Sequence, residues 1–147
     1  MGTKANKGQS LVEVLVAIAV VAAVLVALVA AVVGAVKGVR FSQQKIRANF
    51  LAQEGVEWLR SQRATLGWAD FYVLASGAGA KYCLKDLELT QIGSCSSFQL
   101  IEEKFTREAY LTAIGDGVKV TVETRWDEGD QDFESNLETT LTKWEVN

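Results

Sequence analysis

Between Val14 and Val36 the chain runs for 23 residues without a charged side chain. Wound as a helix at about 1.5 Å per residue, the run spans roughly 35 Å, enough to cross the apolar core of a bilayer. Its Val- and Ala-rich composition would be a poor bet for a helix in water. Lipid reverses that expectation, because every backbone polar group there must be satisfied within the segment. The run therefore predicts a transmembrane helix. A secretory signal peptide has a shorter apolar core, about 7–15 residues, followed by a small-residue cleavage site in a polar flank. Here the polar residues after the run still carry a helical pattern.

That pattern continues from Phe41 to about Leu66. Ala48, Leu51, Ala52, Gly55, Val56 and Leu59 recur at three- and four-residue spacing and form one apolar stripe, with Gln44, Lys45, Arg47, Glu54, Glu57 and Arg60 on the other side. The sequence predicts one helix from about Ser10 to Thr65, some 80 Å long, with a membrane half and a docking half. Ala52 and Gly55 place small residues in the middle of the stripe, which lets something broad, such as a sheet, lie close to the axis. Gly34 and Gly38 are spaced like a small-xxx-small contact, and each weakens a helix by about 1 kcal/mol relative to Ala. They mark a close helix crossing or a place to unwind, unless an Ala/Gly/Val-rich span produces the pair by chance.

After Thr65 the pattern changes to turns and strands. Loops are predicted at Ser76–Gly79 and Gly93–Ser97, with strands at Lys81–Leu84, Phe98–Ile101 and Phe105–Leu111. In the last of these Phe105, Arg107, Ala109 and Leu111 share a face. The clearest strand is Val118–Trp126, with Val118, Val120, Val122, Thr124 and Trp126 facing one way. Its mate runs from about Phe133 to Trp144, and Asp127–Asp132 forms a polar turn between them. The fold class is α+β: a long N-terminal helical spine packed against a small antiparallel β-sheet head with one wet face.

Charge divides the chain. Residues 1–47 carry six Lys/Arg against one Glu, net +5, and residues 48–147 carry nine against seventeen Asp/Glu, net −8. The acidic head argues against nucleic-acid binding, which needs a basic face. There is no histidine, so the commonest general base and metal ligand is missing, no Ser-His-Asp set can form, and no enzyme activity or cofactor is expected. Glu102 and Glu103, as strand neighbours, would point to opposite faces and suit acid–base work poorly. A weak cation candidate is the acidic turn, where Asp127, Asp130 and Asp132 lie beside Glu128 and Glu134; its spacing does not match an EF-hand loop, and a solvated turn explains it equally well. Cys83 and Cys95 would pair in an oxidising compartment, closing a loop worth about 3 kcal/mol on the chain-entropy model; otherwise they are two unrelated buried thiols.

The residues before the apolar run carry the sharpest motif. A short basic leader, Met1–Gly8, is followed by Gln9-Ser-Leu-Val-Glu13. This resembles the N-terminal processing and methylation motif of type IV prepilins, in which a peptidase cuts after the glycine and the fifth mature residue is glutamate. Here the cut falls between Gly8 and Gln9, which makes Glu13 the fifth residue. Leu51–Arg60 is similar to the outer spine of many minor pilins, and the closing hairpin with Trp126 and Trp144 supports the same likeness. Pseudopilins of type II secretion and DNA-uptake systems share the N-terminal motif.

The resemblance implies a leader at 1–8, a transmembrane and filament-core half-helix at 9–38, an amphipathic half-helix at 39–66 and a β head at 67–147. It implies prepilin peptidase, other pilin subunits, the cytoplasmic membrane and the pilus assembly machinery as partners, and Glu13 pairing with the amino terminus of an adjacent subunit during assembly. It also implies a single-pass membrane precursor with an extracytoplasmic head, extracellular in the pilus after assembly. Lys4 and Lys7 before the span are matched by Lys37, Arg40, Lys45 and Arg47 after it, so the positive-inside rule alone does not set this orientation. The expected function is a structural subunit, a minor pilin, with a pseudopilin or a non-filament single-pass surface protein as alternatives. Two departures stand out: Gln9 replaces the usual phenylalanine at the first mature position, and the apolar half lacks proline.

Overall fold

The computed structural model describes residues 7–129 and 131–143. Helix α1 runs Lys7–Leu66 and is followed by a short helix α2, Trp68–Val73. Four strands then form one antiparallel sheet in sequence order: β1 Ala80–Cys83, β2 Phe105–Ile114, β3 Gly117–Glu128 and β4 Gln131–Thr142. The chain divides into two units, Met1–Ser42 and Gln43–Asn147. In the first, the described residues form α1 alone. The second contains the rest of α1, α2 and the sheet.

In the second unit the apolar stripe of α1 lies against the sheet. Ala48, Leu51, Ala52, Val56 and Leu59 are buried, and Ala52, Val56 and Leu59 share one core with Leu111, Val118, Val120, Val122 and Leu141. The alternation in β3 puts Val118, Val120, Val122, Thr124 and Trp126 on the buried face. Gly55 sets the closeness of approach: a Cβ there would lie 3.0 Å from Val122 Cγ1 and 3.3 Å from Arg107 Cδ. A ring of aromatics, with Trp126 stacked on Phe133 and tilted to Phe105, closes one end of the sheet.

Arg107 sits on the same buried face and is 2% exposed. Its Nε and Nη2 donate to the Leu84 carbonyl at 3.1 and 2.9 Å, and Nη1 donates to the Leu51 carbonyl of α1 at 3.1 Å and to Glu54 Oε2 at 2.6 Å. A guanidinium offers five N–H donors in a fixed fork, so one side chain can bind the residue after β1, α1 and a carboxylate together.

Three expectations are corrected. The chain after Thr65 forms a helix before any strand. Gly67, at φ 81°, ends α1 in a conformation that suits glycine, and its carbonyl accepts the Phe71 N–H that starts α2. Residues Phe98–Ile101 are not a strand. Glu102 and Glu103 both take left-handed backbone conformations and reverse the chain, so only Ile101 meets a partner, a single bridge to Phe105, while Phe98 is 90% exposed. The turn predicted over Asp127–Asp132 is tighter: the ladder continues through Asp127 with Asp132 and Glu128 with Gln131. Trp144, expected to close the last strand, lies outside the described residues.

These contacts order the costs of substitution. Arg107→Leu leaves the Leu84 and Leu51 carbonyls without that donor and should cost about 3 kcal/mol. Glu54→Gln should cost less than about 1 kcal/mol, because the Glu54 side chain is 43% exposed and water can solvate it. Gly55→Leu should cost about 2 kcal/mol through overpacking against Val122. Gly38→Ala, where a Cβ meets nothing within 4 Å, should leave unfolding of the head unchanged. Urea unfolding of the full chain in detergent micelles, followed by tryptophan fluorescence, measures all four.

Candidate functional site

In the first unit the apolar side chains from Leu11 to Val39 stand exposed on every side of α1. Mean hydropathy reaches 3.2 over an 18-residue window, none of it buried, and this is the one helix among the described residues long and apolar enough to cross a membrane. Glu13 is exposed in this surface, with Leu11, Val12, Val14 and Leu15 beside it. Gly8 and Gln9 belong to the first turn of the helix. Residues 1–6 of the leader lie outside the described residues.

The second unit carries a charged site on the sheet face away from α1. Glu108 of β2 and Glu123 of β3 are both buried and face each other as cross-strand partners. Like charges opposed in a sheet repel, and here cations bracket them. Lys81 Nζ lies 2.7 Å from Glu108, Arg125 pairs with Glu123, and Arg125 also lies 3.8 Å from Glu108 and 3.9 Å from Glu134.

A disulfide joins Cys83, at the end of β1, to Cys95. The Cys95 N–H donates to Glu108 Oε1 at 2.8 Å, Cys83 N–H to the Gln91 carbonyl at 3.0 Å and Gly93 N–H to the Lys81 carbonyl at 2.7 Å. The disulfide loop thus covers the outer edge of β1 and the buried carboxylate together.

Asp127 and Asp132 stand directly opposite each other on β3 and β4, and Asp130 lies outside the described residues. They border a shallow depression with Arg125, Phe133 and Glu134. Among the described residues no group of three or more His, Cys, Asp or Glu is placed to hold a metal ion. Sequence reasoning missed Glu108 and Glu123 as a buried pair, and it placed Glu54 on the wet side without its bond to Arg107. The available signal was Arg107 itself, a charged residue on the apolar parity of its strand.

Burial, the largest influence, pushes the Glu123 carboxyl above its ordinary value of 4.5, against the pull of Arg125. A carboxyl that binds its proton more readily when folded contributes stability at low pH. That contribution fades as pH rises from the unfolded value through the folded one. Glu102 beside Arg47, and Glu138 beside Lys119, are held below the ordinary range, so their contributions run the other way and are lost as pH falls. Glu123→Gln removes the first effect alone. Thermal melts at a series of pH values should show the variant gaining on the parent chain as pH rises above 4.5, and a difference independent of pH would contradict this assignment.

Comparison with known proteins bears on the first unit. A family model described as the prokaryotic N-terminal methylation motif matches residues 3–36, which include Gly8, Gln9 and Glu13. No curated protein and no solved structure matches the chain. That motif match, on a long apolar helix whose outer part packs against a four-stranded antiparallel sheet, supports a type IV pilin-like protein.

Proposed function

We propose that the chain is a minor pilin: a structural subunit that is cut between Gly8 and Gln9 and enters a type IV pilus-like filament through α1. The observation that carries this reading is Glu13, the one carboxylate of residues 1–47, placed four residues after the proposed new amino terminus and within the matched motif. A charge held in an apolar environment is costly unless paired. The free amine at Gln9 of a neighbouring subunit is a partner of opposite sign, and pairing with it would fix the axial register of one helix against the next. In this reading residues 1–8 are the leader, 9–38 the membrane and filament-core segment, 39–66 the docking half-helix and 67–147 the extracytoplasmic head. Leu51–Arg60, the stretch similar to minor-pilin spines, supports a minor pilin over a secretion pseudopilin. The disulfide suits a head that works in an oxidising compartment.

The first test is the intact mass and N-terminal peptide of the protein from membranes of its native host. A chain beginning at Gln9, with or without one added methyl group, is expected; a stable chain retaining Met1–Gly8 would sink the reading. Gly8→Val should block the cut. Glu13→Gln should be cut as well as the parent yet be lost from sheared surface filaments, which immunoblotting of the filament fraction measures.

A further inference from the structure

The two edges of the sheet differ. β4 borders no further strand among the described residues, whereas the outer edge of β1 is covered. The Lys81 carbonyl accepts the Gly93 N–H at 2.7 Å, and the Cys83 N–H donates to the Gln91 carbonyl at 3.0 Å. Ile92, between those two loop residues, forms a bridge to Tyr82. Three residues of the disulfide loop thus stand where a fifth strand would lie.

At this cover apolar burial contributes little, because Ile92 is 82% exposed. Leu89 packs against the core before it, and the Cys83–Cys95 bond fixes the chain after it. Smaller ties are the bond from Lys81 Nζ to Ser94 Oγ at 2.8 Å and a side-chain bond between Gln99 and Gln91. Without the disulfide, the cover is held firmly on one side only.

Charge decides which edges could meet. Glu134 and Glu138 stand on the exposed positions of β4, on the sheet face that carries Arg125 and Lys119. Two copies of β4 laid antiparallel about Asn136 would set Glu134 of one against Glu138 of the other, and like charges opposed across a ladder are destabilising. β1 offers the opposite sign. It carries Lys81 on that same face, Lys85 follows just beyond the strand, and no carboxylate occurs from Ala80 to Lys85. An acidic edge guards β4 against its own kind but not against β1.

We propose that β1 is a latent docking strand for β4 of a second copy, and that residues Gln91–Gly93, pinned by the Cys83–Cys95 disulfide, keep it closed. The two edges lie at opposite ends of the strand order. Each copy that pairs therefore leaves one edge of each kind open, and the association propagates without closing. The disulfide acts here less as a staple for the core than as a guard on one edge. This inference concerns the second unit alone and does not depend on a cut after Gly8.

The test compares the full chain in detergent micelles with a variant carrying both Cys83→Ser and Cys95→Ser. Sedimentation reads association, amide hydrogen exchange reads β4, and tryptophan fluorescence reports whether the head is folded. The parent should keep one mass as its concentration rises. The double variant should grow in mass, and its β4 amides should exchange about tenfold more slowly at high concentration than at low. A folded double variant that keeps the parent's mass would overturn the proposal. So would growth without β4 protection, which puts the contact elsewhere. Gly93→Pro keeps the disulfide but removes the N–H that reaches Lys81, and it decides the case in which the double variant unfolds. Association with β4 protection is expected of it, and a folded Gly93→Pro chain of parental mass would then overturn the proposal.

Discussion

Because Arg107 lies on the core face of β2, the sheet can approach α1 only where the helix offers both room and hydrogen-bond acceptors. Both occur on neighbouring turns: Gly55 leaves the room, and Leu51 and Glu54 supply the acceptors. Burying a guanidinium is expensive unless its donors are used, and four bonds here use them. The Leu84 carbonyl brings the residue that follows β1 into the same knot, so one side chain ties the helix, the sheet and the end of the edge strand together. The surrounding valines and leucines contribute most of the apolar burial, but aliphatic contacts slide easily. The fork of Arg107 is directional, and it selects one arrangement among the many that burial alone would accept.

The opposite face of the sheet solves a different problem. Glu108 and Glu123 would repel each other across β2 and β3, yet Lys81, Arg125 and the Cys95 amide surround them. Their surroundings are unequal. Glu108 receives a lysine and an amide N–H, while burial dominates at Glu123 and raises its proton affinity. The disulfide holds Cys95, and through it the amide that meets Glu108, beside β1. Covalent closure and electrostatic compensation therefore act on the same few residues, and the loop between the two cysteines needs little core of its own. Ile92, which bridges to Tyr82, remains largely exposed.

Periodicity made the spine and the hairpin legible. The stripe from Ala48 to Leu59 and the alternation from Val118 to Trp126 are repeated signals, each confirmed by many residues, and both elements bury the faces they predict. The N-terminal motif was legible for a different reason, since its meaning lies in spacing along the chain and needs no fold. What failed was short or non-local. Six residues of α2 hold fewer than two turns, too few for a period to emerge, and its start depends on the Gly67 carbonyl. The residues Phe98–Ile101 look apolar enough for a strand, but a strand needs a neighbour, and the reversal at Glu102–Glu103 leaves only Phe105 within reach. Glu54 could not be assigned because its partner lies 53 residues away.

The energetics of insertion show how one carboxylate can sit at the edge of the apolar segment. From Val14 to Val36 there are fourteen Val, Leu and Ile residues, each worth about 0.3–0.6 kcal/mol toward insertion at the centre of a membrane helix. Together they contribute on the order of 4–8 kcal/mol, against about 3 kcal/mol for one charged side chain placed at the centre and less for one near the interface. Glu13 therefore weakens insertion without preventing it, and the segment stays long and apolar enough to cross a membrane. The charge also keeps a standing penalty that lipid cannot relieve and an amine can. In the filament proposed above, an arrangement that brings Glu13 to a neighbour's amino terminus would be favoured over one that leaves it in hydrocarbon. The valine and leucine contacts around it fit many axial offsets almost equally well. A single acidic residue in an otherwise featureless apolar surface is thus better placed to specify register than any number of additional aliphatic side chains.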